Sequence, residues 1–526
     1  VIPAGQSGPR RPAWSASLRS ALAALAIAAA VVLVYLPALR NGFVSYDDDV
    51  YLMDNPLLHG FHLPGLWSAF TEFHAILWIP LTWVSLGLDA ALWGPGPFGF
   101  HLTNVLLHAL DAALAFLVGR ALLLRRPDWL PAQGGQRAAG LAAAAAALLW
   151  ALHPLRVESV AWIVERKDVL SGCFALLATG AWLRYARRRE EGGPAAAPYA
   201  LALALFVAAV LSKPMVVTWP AVLLLLDGLL GRLGDRAGWR RAILEKLPFL
   251  AASLASAALT AAAQRPVIRS LEALPAAARL VSVAYAVEQY LLSTLWPARL
   301  APFYPHRMAA VLSSPRHLAA VPVVLALAGL VAWQARRRPW LAAAAAYSGV
   351  TLLPASGLVQ VAAQSHADRF TYLPSLGFAL VAGALVAHLA AAAAAPGRAR
   401  RALGDLGLAA AAALLVAGAL LTVRQLDHWR DGVAFWSRAV AVDPDLGIGY
   451  WFRARDRAAA GDLAGALEDL DRSGAIAARK GVGLRKVYRL RAEVLARLGR
   501  EPEASRDLAA AEALDAAAGE PAPHWK

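Results

Sequence analysis

The chain has 526 residues and a net charge of +15; 59% of its residues are hydrophobic and only 17% charged. Soluble domains run at about 45–50% apolar and about 25% charged, so long apolar runs recurring from end to end exclude a soluble domain and define a multi-spanning membrane protein. The basic residues cluster between those runs, which is the pattern that orients membrane proteins and argues against nucleic acid as a partner. A single cysteine, Cys173, excludes an internal disulfide and a thiolate metal set.

About 20 apolar residues cross the hydrocarbon core. Residues 17–39 meet this length, and Arg10, Arg11 and Arg19 place the N-terminus in the cytoplasm. The chain opens with Val1, and no small-residue cleavage site follows a short apolar core. The first segment therefore reads as a retained span rather than a signal peptide. A loop over 40–97 follows, too polar and too broken by Pro and Gly to span. It holds the acidic run Tyr46-Asp47-Asp48-Asp49-Val50-Tyr51, and its Trp67, Trp78, Trp83 and Trp93 suit a segment in the headgroup layer.

Further spans are predicted over 98–124, 138–152, 169–185, 199–211, 216–230 and 247–263. Those at 199–211 and 216–230, hinged at Ser212-Lys213-Pro214, are short enough to require tilt, bilayer thinning or a paired broken helix. The stretch 276–296 is apolar but carries Arg279 and Glu288. Counting it as a span would put Arg336, Arg337, Arg338, Arg398, Arg400 and Arg401 outside, against the charge bias, so it is assigned as an outer-face or re-entrant helix. Spans over 315–335, 340–353, 373–395 and 404–423 complete eleven, which places the C-terminus outside.

The membrane region is thus 1–425, and 426–526 is charged and helical. Arg453-Ala454 through Gly461 and Arg491-Ala492 through Gly499 repeat at an offset of 38 residues. Paired helices repeated at about 34 residues mark tetratricopeptide arrays. A short array of this kind is expected outside, leaning on the membrane region and offering a concave face to a protein partner.

This topology gathers the polar residues without an orienting role on one side: Asp47, Asp48 and Asp49; His153, Arg156, Glu158, Glu165, Arg166, Lys167 and Asp168; Lys213; and His366, Asp368 and Arg369. Carboxylates and cations from four loops at one membrane face suit an anionic lipid headgroup. Transfer of a sugar from a lipid phosphate leaves charge on that phosphate for cations to stabilise. The acceptor hydroxyl needs a carboxylate to take its proton. Neighbouring aspartates cannot all point one way, so one or two at most serve as bases, and the others cap a helix or hold a metal. The alternative for the triplet is a solvated loop or an N-cap cluster. For Glu165-Arg166-Lys167-Asp168 it is a self-neutralising surface loop.

His101, Asn104, His108 and Asp111 share one helical face within about 80°. His101 and Asn104, near the outer end, are candidate substrate contacts with His153, Glu158 and Asp47, while His108 and Asp111 read as glue between helices. Lys213 and Arg369 need partners at membrane depth, and a donor phosphate would supply one.

The runs Asn41-Gly42-Phe43-Val44-Ser45-Tyr46-Asp47-Asp48-Asp49, Pro80-Leu81-Thr82-Trp83, Gly99-Phe100-His101-Leu102-Thr103-Asn104, His153-Pro154-Leu155-Arg156-Val157-Glu158, Ser212-Lys213-Pro214 and Ala367-Asp368-Arg369-Phe370 resemble the transmembrane and tetratricopeptide-repeat-containing family. The resemblance implies an all-α GT-C glycosyltransferase, a protein O-mannosyltransferase that uses a lipid-phosphate mannose. It implies Asp48 as general base with Asp49 in support, and Arg156, Arg166 and Lys167 at the donor phosphate. Composition rich in Ala and Arg points to a bacterial chain in the inner (plasma) membrane, with a polyprenyl-phosphate sugar as donor and a protein or glycan as acceptor. Mg²⁺ or Mn²⁺ at Asp48 and Asp49 stays open. A transporter with an outer charged gate, and a non-catalytic scaffold, are the competing readings.

Overall fold

The computed structural model describes residues 16–518 apart from 59, 133, 269–273, 307–310, 359–363 and 482. Arg10 and Arg11, expected to mark the inner side, lie outside the described residues, as do the last eight residues of the C-terminal region. The fold is all-α; extended pairing among the described residues is confined to two isolated bridges, His74 with Leu77 and Pro305 with Gln364.

Helix α1 (Ala16–Tyr35) leads through a short turn into the acidic loop, where α2 (Asp48–Met53) starts at Asp48. Carboxylates suit that position because a helix N-terminus carries partial positive charge. Two helices, α3 (Leu63–Thr71) and α4 (Pro80–Trp93), follow; on α3, Leu63 and Trp67 are strongly exposed. The bundle is then built by α5 (Pro97–Arg125), α6 (Gly135–Ala151), the short α7 (Val157–Ala161), α8 (Arg166–Glu190), α9 (Ala196–Ser212), α10 (Trp219–Leu229) and α11 (Arg236–Gln264). After α12 (Ala276–Leu295) come α13 (Pro315–Ala335), α14 (Pro339–Leu352), α15 (Ser375–Ala393) and α16 (Arg398–Leu426).

Seven helical segments among the described residues are long and apolar enough to cross a membrane, or eight if the pair Gly135–Ala151 and Pro154–Ala161, bent by 59°, is one span. The chain is a multi-pass membrane protein. Each of the eleven expected spans falls on a helix, but α9, α10 and α14 have 17, 11 and 14 residues and do not reach crossing length alone.

Side-chain contacts sort the helix ends into two sets. At one end, Arg125 pairs with Glu190, Arg126 donates to the Leu229 carbonyl at 3.1 Å, and His388 lies 3.3 Å from the Trp129 carbonyl. At the other end, Asn104 donates to the Val160 and Trp162 carbonyls at 3.2 Å, Thr422 to Leu152 O at 2.8 Å, and Lys213 reaches Glu165. The acidic loop belongs to this second set, the site end. Both ends of α12 meet loops there: Arg279 donates to the carbonyls of Leu274 and Leu358, and Thr294 O lies 3.0 Å from His153 Nε2.

Small residues let the helices close up. Ala139, Ala142, Ala143 and Ala147 are buried on α6, and Gly383 of α15 lies so close that a Cβ would meet the Ala142 carbonyl. In a bilayer, such close backbone approach supplies the packing that the hydrophobic effect cannot.

The C-terminal region is formed by α17 (Gly432–Val442), α18 (Gly447–Ala459), α19 (Leu463–Lys480), α20 (Leu484–Arg497) and α21 (Glu501–Ala518). A fork from Arg453 to Asp469 (2.6 and 2.8 Å) recurs as Arg491 to Asp507 (2.8 and 2.6 Å). Gly461 and Gly499 turn the chain at φ of +87° and +75°. These matched pairs stand 38 residues apart, the offset read in the sequence.

Candidate active site

The three aspartates part company because α2 begins among them. On a helix, neighbours are turned by about 100°. Asp48 faces inward at 1% exposure, and its Oδ2 accepts from Val44 N at 2.9 Å, whereas its Oδ1 is buried without a hydrogen bond. Burial pushes its carboxyl up to about 7; the amides of Val44 and Val164 oppose that rise, and Asp47 and Asp49 add to it. Half-buried Asp47 is likewise pushed up by burial, to about 6, with Lys167 and Arg369 pulling it back. Asp49 points outward, 4.0 Å from Arg455.

Beside this loop lies a compact ion cluster centred on Glu165. Lys167 Nζ is 3.0 Å from it, Lys213 Nζ 2.9 Å and Arg369 Nε 3.2 Å. Lys213 also meets Asp168 at 2.7 Å, and Arg369 binds Glu158 through its guanidinium and, at 2.8 Å, its backbone N–H. Lys167 stands 4.7 Å from the Tyr51 ring and Arg369 5.4 Å from the Trp162 ring, so the cations are walled by aromatic faces that favour them. Glu165 to Asp168 is thus a buried cluster with long-range partners, and the alternative of a self-neutralising surface loop is overturned.

Three carboxylates and three cations balance within that cluster, and Arg156 stands apart from them. It is 1% exposed, donates to Thr371 Oγ1 at 2.5 Å, and leaves Nε and NH1 without partners. The rings of Trp150 and Tyr372 lie 6.0 and 5.8 Å from its guanidinium. A buried guanidinium with unmet donors is costly unless an anion joins it.

Several expected site residues are turned to other work. Arg166 spends its donors on Asp89 Oδ2 (2.5 Å), Ser85 Oγ (2.8 Å), Phe100 O (2.8 Å) and Asn104 Oδ1, so its expected place at a phosphate is not what its side chain does. Asn104 pins the carbonyls of Val160 and Trp162. His101 Nε2 lies 3.3 Å from Gly42 O and steadies the start of the acidic loop. His153 accepts from Leu155 N at 3.2 Å and meets Thr294 O. Glu158 is held by Arg369. Deeper in, Tyr372 OH donates to Asp111 at 2.7 Å and lies 2.8 Å from His108, a bonded link between α5 and the start of α15.

Removing Arg166 would strand buried Asp89, so Arg166→Ala is expected to cost on the order of 3–5 kcal/mol of stability. A thermal melt in detergent checks this; an unshifted midpoint with lost activity would return Arg166 to the substrate.

Asp48 and Asp49 diverge, and among the described residues no group of three or more His, Cys, Asp or Glu is arranged to hold a metal ion. The pair does not fit a shared cation.

Sequence reading missed Glu165 as the hub and Tyr46, Tyr51 and Tyr372 as walls. The signal for Glu165 was present, because a charge run directly ahead of an apolar helix has little water to meet. The tyrosines carried none.

No family model matches the chain. The chain is similar in sequence to protein O-mannosyl-transferases, as its motifs predicted. It is 36% identical over 220 residues to protein O-mannosyl-transferase Tmtc1 of Drosophila melanogaster, covering 40% of this chain and 23% of that protein. Tmtc2 of the same fly is 34% identical over 171 residues (31% and 16%), and human TMTC1 31% over 223 residues (39% and 23%). The chain thus spans less than a quarter of the length of these relatives. Among solved structures, ArnT from Cupriavidus metallidurans bound to undecaprenyl phosphate aligns with a TM-score of 0.41 and 14% identity, over 81% of this chain and 80% of that one.

Proposed function

We propose that the protein is a GT-C glycosyltransferase that moves a sugar, mannose by its sequence relatives, from a polyprenyl phosphate to a hydroxyl on a protein. The observation that carries this is a pair of opposite unmet demands at one end of the bundle. Asp48 is a buried carboxylate with a free oxygen, and Arg156 is a buried guanidinium with free donors. An acceptor hydroxyl answers the first and a phosphate the second.

In the reaction, Asp48 takes the acceptor proton while the hydroxyl oxygen attacks the anomeric carbon from the side opposite the phosphate. The bond from that carbon to the phosphate oxygen breaks, its electron pair stays on the lipid phosphate, and the sugar configuration inverts. Arg156 holds the phosphate through a planar fork. Lys167 and Lys213 are paired with Glu165 in the neighbouring cluster, and Arg369 orders Glu158 and Glu165. Arg166, Asn104 and His101 position the backbone around the loop rather than touch substrate.

The site end faces the periplasm or cell exterior, the N-terminus lies in the cytoplasm, and the helices after 426 form tetratricopeptide-like repeats that receive the acceptor or a partner.

The test is transfer of label from radiolabelled polyprenyl-phosphate mannose in membranes containing the protein. Label reaching protein supports the reading; label reaching glycan keeps the chemistry and changes the acceptor. No transfer from mannose or a panel of other lipid-phosphate sugars, with the protein correctly inserted, overturns it. The pH profile is a second check. A base works when deprotonated, and burial holds Asp48 up to about 7, so kcat/KM should fall below about pH 7 along a single acid limb. A limb near pH 4 would point to an exposed carboxylate instead.

A further inference from the structure

The acidic loop is gripped from the C-terminal side. Ser45 Oγ donates to Asp456 Oδ2, and Arg455 NH2 donates to the Ser45 carbonyl at 2.6 Å, while its NH1 lies 4.0 Å from Asp49. At the loop's start, Gly42 N donates to Arg430 O at 2.7 Å and Asn41 Nδ2 to Leu426 O at 3.4 Å. Between these points the Tyr46 ring packs against Trp162 (5.2 Å), Phe303 (5.9 Å), Phe435 (5.7 Å) and Trp436 (5.6 Å), so α17 furnishes half of its cage. Gly432 leaves the room for this. A Cβ there would overlap Asp456 Oδ2 and come within 2.7 Å of Ser45 Oγ.

We propose that Asp456, Arg455 and Ser45, with Gly432 giving them space, form a clamp through which the C-terminal helices set the position of the acidic loop. These are positioning residues, and the inference rests on the reading of Asp48 as the base. Every bond of the clamp falls within the nine residues from Asn41 to Asp49, immediately beside Asp48. Those ties to α18, the turn before α17 and the end of α16 are long-range in sequence and short in space. A base displaced by about 1 Å loses on the order of 100-fold in rate, so a loop without regular structure needs an external brace. The C-terminal helices are therefore a working part of the transfer site.

The test uses the full chain in detergent, with hydrogen exchange of amides 42–49 and transfer kinetics read on the same samples. In Asp456→Ala, exchange of the loop should speed up by about tenfold or more. Its kcat should drop by about 10- to 100-fold, with KM for the lipid donor unchanged. Asp456→Asn keeps a partner for Ser45 and should recover most of both. Gly432→Ala should behave like Asp456→Ala. Arg491→Ala breaks the later fork without touching the loop and should leave both readouts as in the wild type. If Asp456→Ala also loses protection across α19 to α21, Ser45→Ala gives the same reading from the membrane side. Unchanged exchange in Asp456→Ala and Gly432→Ala, or faster exchange with unchanged kcat, overturns the clamp. An inactive wild type overturns the transferase reading, and loop exchange still decides whether the clamp holds.

Discussion

Asp48→Asn is expected to lower transfer by about 10²–10⁴-fold, the usual worth of a positioned general base. The substitution keeps a carbonyl oxygen to accept from Val44 N, so the turn that starts α2 stays formed. What disappears is the proposed proton acceptor. A purely structural role predicts a different pattern. The folded state holds the Asp48 proton more tightly than the unfolded chain, since burial pushes its carboxyl up to about 7. The wild type therefore loses stability as pH rises from about 4 through about 7, where the unfolded chain is already ionised. The asparagine variant lacks that loss, so at pH 8 it should melt no lower than the wild type while transferring almost nothing. Transfer within tenfold of the wild type would remove Asp48 from the base position. A variant that melts much lower would make it a scaffold residue.

Arg156→Met should separate stability from activity in the same direction and more sharply. A buried cation with two unmet donors destabilises the folded state; even a buried ion pair replaced by well-packed apolar side chains is often neutral or stabilised by about 1–4 kcal/mol. The variant gives up one bond to Thr371, which is small beside the desolvation removed. Transfer should nevertheless fall by about 10²–10³-fold, as when a preorganised stabiliser of developing charge is lost. Arg156→Lys should recover part of it, because an ammonium supplies charge but not the planar fork. A melting midpoint that rises as transfer collapses marks a residue kept for its ligand. If Arg156→Met lowers the midpoint and leaves transfer intact, the guanidinium serves the fold, and the phosphate must be sought at Lys167 or Lys213.

Much of this was legible in the chain. Asp48 stands out because a triple carboxylate after an apolar span is costly near lipid, and the loop residues sort to one face once basic clusters set the topology. Arg166 shows where reading stopped. It is adjacent to Lys167, and nothing local separates them, yet the first turn of α8 swings Arg166 toward Asp89 and Asn104 and Lys167 toward Tyr51 and Glu165. Arg156 was named as a candidate, but its distinction is that its one hydrogen bond goes to a hydroxyl and none to a carboxylate, and that depends on a residue more than 200 positions away. The three short helices α9, α10 and α14 mark a similar limit: hydropathy finds them and cannot say how each meets the bilayer.

Taken alone, the sequence determined that the protein crosses a membrane many times, which loops share a side, that a carboxylate loop and several cations meet there, and that a 38-residue helical repeat follows. These properties are carried by hydropathy, charge placement and period, all local along the chain. Only the tertiary structure decided that Asp48 turns inward and Asp49 outward, that Glu165 meets three cations while Arg156 has no carboxylate bonded to it, and that α17 and α18 grip the acidic loop. Each of those depends on which distant groups come within bonding distance, and burial and pairing are properties of that arrangement rather than of any stretch of residues.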